Sequence, residues 1–114
     1  MGEKMNKAKQ ARLEARGWKV AGIEEFLGLS KEEAVFVEMK LALARCLREL
    51  RMRRNLSQSQ VAELIGSSQS RVAKMESGDP TVTIDLMLRS VLAMGASPRQ
   101  VGRVLATRKR LTPA

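Results

Sequence analysis

Gln69, Ser70, Arg71 and Lys74 are the residues of this chain whose types and spacing best suit chemistry. Glutamine and serine carry donors and acceptors that pair with base edges. Arginine and lysine donate to bases and hold phosphates. Their spacing predicts one polar exposed face on a short helix, of a size that enters a DNA major groove. The same face on an isolated helix would be ordinary solvated surface. Catalytic chemistry has less to draw on. The chain has no histidine, no tyrosine and one cysteine. It has no Gly-rich phosphate loop and no HExxH-like pair. Glu24-Glu25 and Glu32-Glu33 read as helix-start charges rather than an acid–base pair. No metal-ligand set or cofactor motif is present, so the chain is expected not to be an enzyme.

A reading helix needs a second helix behind it. Residues 58–77, QSQVAELIGSSQSRVAKMES, predict two short helices joined by a tight turn. Val61, Ala62 and Ile65 fall on one face of the first, and Val72 and Met75 on one face of the second. Gly66 stands where the chain reverses and a positive φ is expected. Ala62 is small and lets the second helix approach. Ser57 and Gln60 have capping-box spacing, and Ser68 (or Ser67) caps the next helix, which Gly78 stops. Thr83 caps a further helix with Asp85 in its first turn. Its apolar positions, Ile84, Leu86, Met87, Leu88, Val91, Leu92 and Met94, are dense, and Gly95 ends it. Ser97, Pro98 and Gln100 open a last short helix with Val101, Val104 and Leu105. That helix is the expected dimer contact.

Upstream, Ser30 and Glu33 form another capping box, and a helix from there is expected to reach Arg54. Phe36, Met39, Leu43, Cys46, Leu47 and Leu50 give it one apolar stripe. Residues 1–16 fit a short amphipathic helix or a frayed one. Trp18, Val20, Ile23, Phe26 and Leu27 predict a turn and a short helix ending at Gly28. Trp18 belongs either to a core or to a surface that anchors a partner protein.

The chain of 114 residues carries a formal charge of +9, an excess that attracts a polyanion such as nucleic acid or an anionic membrane surface. Arg45, Arg48, Arg51, Arg53 and Arg54 cluster before the two-helix corner. They read either as surface charge or as a phosphate-facing ridge holding Arg51 and Arg54. The 108–110 run reads as a solvated tail or a DNA arm. Aromatics make up 3% of the chain, so the core is aliphatic and helix-compatible. Cys46 cannot form an internal disulfide and sits on the apolar stripe, as a buried core thiol would. No apolar run approaches the ~18 residues of a membrane span. The N-terminus lacks the apolar stretch of a signal peptide, and a cytoplasmic protein is expected.

From Leu50 to about Val104 the sequence resembles the Xre/Cro/CI family of helix-turn-helix repressors. The match lies in Leu56-Ser57-Gln58, Val61-Ala62, Ile65-Gly66, Ser68, Val72, Met75-Glu76, Gly78, Leu86, Leu88 and Ala93-Met94-Gly95. Met75 stands where Ile or Leu is usual, and Ser67 where Val is frequent. The resemblance implies an all-α, five-helix lambda-repressor-like DNA-binding domain over 34–106. A helical N-terminal extension, 1–33, precedes it and a basic flexible tail, 107–114, follows. It implies that Gln58 contacts phosphate and buttresses Gln69. Ser68, Gln69, Ser70, Arg71 and Lys74 would then face bases or flanking phosphates of double-stranded DNA. A homodimer that represses transcription is implied. Residues 17–20 and 25–30 are also similar to small Xre-type antitoxins of HigA-like pairs. That similarity implies the alternative: a module that neutralises a small basic toxin and autorepresses its operon.

Overall fold

The computed structural model describes residues 30–111, and within them the fold is all-helical. The five helices are α1 (Lys31–Arg53), α2 (Gln58–Ile65), α3 (Gln69–Ser77), α4 (Ile84–Ala93) and α5 (Pro98–Ala106). The expected helices at 1–16 and 18–29 lie outside the described residues. The described residues divide into two units, 30–38 with 109–111, and 39–108.

In the first unit the start of α1 is fixed by its capping box. The Glu33 N–H donates to Ser30 Oγ at 3.1 Å, and the Ser30 N–H donates to Glu33 Oε1 at 3.0 Å. Ala34 and Glu38 are buried. The Leu111 N–H donates to Glu38 Oε2 at 2.9 Å. Phe36, expected on the apolar stripe, is 47% exposed.

The second unit holds the core. Helices of eight and nine residues, such as α2 and α3, are too short to stand alone in water, where about 12–15 residues are needed. Caps and packing hold them instead. Ser57 and Gln60 satisfy each other's backbone amides in a capping box, and Ser68, Thr83 and Ser97 each accept from the amide three residues on. Each such cap is worth about 1 kcal/mol. Gly66 and Gly78 end α2 and α3 in the left-handed conformation, at φ 68° and 71°. α1 ends at Arg53, one residue before the expected Arg54. Asn55 takes φ 56°, and the Leu56 N–H returns to the Arg51 carbonyl at 3.1 Å. Asparagine tolerates that conformation better than most residues. α4 stops at Ala93 with Met94 as its cap, so Gly95 lies one residue past the helix end.

Leu43 and Leu47 of α1, Val61 of α2, Val72 and Met75 of α3, and Met87 and Val91 of α4 are fully buried in one cluster. Each contributes roughly 1.5–3 kcal/mol by leaving water. Cys46 is buried beside them, and burial pushes its thiol pKa up. Ser90 is a buried polar residue within this core. Its hydroxyl donates to the Leu86 carbonyl at 2.8 Å and lies 3.3 Å from Met75 Sδ. On α5, Val101 is buried and Val104 and Leu105 pack on the core. Val104 and Leu105, expected at a dimer contact, remain only partly buried.

Candidate nucleic-acid interface

Helices α2 and α3 form a packed corner around Ala62, which is 4% exposed. The Gly66 turn lets the Ser67 N–H reach back to the Ala62 carbonyl at 2.8 Å. With Val72 and Met75 held in the core, the other side of α3 faces outward. Gln69, Ser70, Arg71 and Lys74 are all exposed there. Four residues of the expected set are therefore brought to one surface by one short helix. Ser68 is exposed too, but its hydroxyl is engaged as the cap, accepting from the Arg71 N–H at 3.1 Å.

The Arg71 guanidinium and the Lys74 ammonium donate no hydrogen bond within the described residues, and both are exposed. Together with Thr81, Val82, Thr83 and Leu86 they line a groove of about 360 Å³ beside α3. The loop on its far side is held from two directions. Lys40, buried, reaches the carbonyls of Asp79 and Pro80 at 3.5 and 3.4 Å. The Asp79 carboxylate accepts from the Thr81 N–H at 2.8 Å and from the Thr81 hydroxyl. Those bonds, helped by the charges of Lys74 and Lys40, hold the Asp79 carboxyl below the usual carboxylate pKa.

Gln58 sits at the first position of α2 and joins the site from behind. Its Oε1 accepts from Gln69 Nε2 at 2.7 Å, so the two glutamines touch as a buttress requires. Its own Nε2 donates to Glu76 Oε1 at 3.1 Å. Glu76 in turn binds Arg51 at two points, Nε to Oε2 at 2.6 Å and Nη2 to Oε1 at 3.0 Å. The two side chains are 17% and 6% exposed, and the bond to Glu76 raises the Arg51 pKa. Arg51 also donates from Nη1 to the Leu56 carbonyl at 3.0 Å. Its guanidinium is thus engaged inside the fold, not displayed with the other expected DNA-facing groups. Arg54 is exposed; one nitrogen, Nη1, donates to the Met94 carbonyl at 3.3 Å.

Sequence reasoning placed Glu76 in the family pattern but gave it no partner, and it passed over Lys40 and Thr81. Glu76 and Arg51 are 25 residues apart, and Lys40 and Asp79 are 39 apart, and no local spacing rule links such positions. Thr81 is different: it lies two residues from Asp79, a spacing at which an aspartate side chain bonds the backbone of its own turn.

The arrangement offers an exposed helix with paired donors and acceptors, two exposed cations and a groove alongside. It suits a duplex with phosphate rails and a readable groove. Among the described residues no group of His, Cys, Asp and Glu side chains could hold a metal ion. No helix among them is long and apolar enough to cross a membrane. A family model described as a helix-turn-helix domain matches residues 42–103. No curated protein and no solved structure matches the chain.

Proposed function

The chain belongs to the helix-turn-helix domain family, and on that premise we propose that it is a sequence-specific transcriptional repressor. α3 enters the major groove of double-stranded DNA. Gln69 suits adenine, which presents N6–H and N7 side by side, and Arg71 suits guanine O6 and N7. Ser70 and Lys74 contact bases or flanking phosphates. Arg54 holds phosphate from the end of α1. Bound at a promoter, the protein excludes polymerase, without catalysis and without a cofactor. A single reading helix spans few base pairs, so the working form is a homodimer on a two-fold site.

The observation that carries this reading is the co-exposure of Gln69, Ser70, Arg71 and Lys74 on one face of α3, with Gln58 bonded to Gln69 behind them. Selection from random duplexes tests it. A defined half-site bound in a salt-sensitive way supports the repressor. Equal binding to all sequences, or none, would overturn it.

Within the family we place the chain with Xre/Cro/CI-type repressors acting in the cytoplasm. The HigA-like antitoxin reading rests on residues 17–30, of which only Ser30 is described. Co-purification of a small basic toxin with the full chain would support that role alongside autorepression.

A further inference from the structure

The side chains of Arg51, Glu76, Gln58 and Gln69 form one hydrogen-bonded series that runs from α1 to the exposed face of α3. Its direction is dictated at its inner end. A carboxylate only accepts, and a guanidinium only donates. Glu76 therefore requires the nitrogen of the Gln58 amide, not its oxygen. The Gln58 oxygen is then left facing Gln69, and only the Gln69 nitrogen can answer it. The Glu76 side chain is 6% exposed, so water has little access to reverse the order.

We propose that Glu76 is a positioning residue for base reading, which fixes the polarity of the Gln58 and Gln69 amides and so the base that Gln69 accepts. This rests on the DNA-reading role of α3 given above. Gln69 spends one Nε2 hydrogen on Gln58 and keeps its carbonyl oxygen and the other Nε2 hydrogen side by side. An acceptor next to a donor matches adenine N6–H and N7. Guanine offers two acceptors at the same place, N7 and O6, and is refused. If residue 76 offered either a donor or an acceptor, both amides could turn over. Gln69 would then be free to reorient its N–H groups toward guanine. Arg51 serves the same end at one remove. It binds both carboxylate oxygens and supplies the opposite charge that lets Glu76 remain within the fold.

The test is Glu76→Gln in the full chain, with two readouts. In duplex selection at one salt concentration, the preference for adenine over guanine at the pair facing Gln69 should fall about tenfold, within the range for one bidentate contact. Affinity for unrelated duplex should stay unchanged. A folded variant that keeps the original adenine preference overturns the proposal. The second readout is the side-chain amide spectrum of the free protein by nitrogen–proton NMR. In the unaltered chain one Nε2 hydrogen of Gln58 should exchange slowly, and in the variant that protection should disappear. If the variant does not fold, the unaltered chain still decides. Two freely exchanging Gln58 hydrogens there overturn the proposal. If the unaltered chain shows no sequence preference but a protected Gln58 hydrogen, the repressor reading fails and the fixed amide polarity stands.

Discussion

Gly78 approaches Leu41 so closely that a methyl group on it would fall 2.7 Å from Leu41 Cδ2. Gly66 has the same left-handed backbone, φ 68° against 71°, but a methyl group there meets nothing within 4 Å. The two glycines end successive helices in the same way and differ only in what surrounds them.

Alanine at either position should lose about 1–2 kcal/mol to the left-handed strain alone. At Gly78 the Leu41 side chain must also shift, so Gly78→Ala should melt lower than Gly66→Ala. Thermal unfolding of the two variants compares them directly. Equal melting temperatures would mean that Leu41 yields at no cost.

Asp79 ties stability to pH. The Thr81 N–H and hydroxyl bind its ionised carboxylate and lower its folded pKa. A depressed folded pKa means stability that is present above the unfolded value, about 4, and lost as pH falls through the folded one. Asp79→Ala should therefore lower the melting temperature at neutral pH. The difference from the unaltered chain should shrink below about pH 4. A constant difference across that range would show that the carboxylate charge plays no part.

The glycine ends of α2 and α3 were legible in the sequence, and the Asp79–Thr81 bonds were not. The left-handed glycines, the Ser57–Gln60 and Ser30–Glu33 boxes and the Ser97-Pro98 start are signals between near neighbours, and the helices follow them. The polar face of α3 was legible for the same reason, because Val72 and Met75 fix which side turns inward. The fate of Arg51 was not legible. It stands in a run of arginines, and nothing local sets it apart from Arg48 or Arg54. Its partner Glu76 lies across the fold. Apolar spacing also says little about depth. Phe36 continues the stripe of Leu43 and Leu47 yet is half exposed, and on α5 Val101 is buried while Val104 and Leu105 are only partly so. Periodicity tells which residues share a face, not what that face meets.

Arg71 gives the most direct test of the reading helix. It is exposed, and its guanidinium makes no hydrogen bond within the described residues, so its removal should not unsettle the core. Arg71→Ala should cost about 1–3 kcal/mol of specific affinity and relax preference at one or two base pairs. Melting should barely change. A folded variant with unaltered affinity and preference would remove Arg71 from the reading face.

Arg51 and Arg54 stand three residues apart on the same stretch of chain, and the structure gives them different partners. Arg54 is exposed and gives only Nη1 to the Met94 carbonyl, so it keeps donors for a phosphate. Arg51 is turned to Glu76. Losing one phosphate contact lowers the slope of log affinity against log salt by roughly 0.9. Arg54→Gln should show that change with little effect on melting. Arg51→Gln should do the reverse. It leaves Glu76 without its charge partner and costs up to about 3 kcal/mol of stability, the low end for a buried pair. Its salt slope should stay that of the unaltered chain. Salt titrations and melts on both single variants resolve the two. A flattened slope from Arg51→Gln in a fully stable protein would mean that the guanidinium leaves Glu76 to bind DNA.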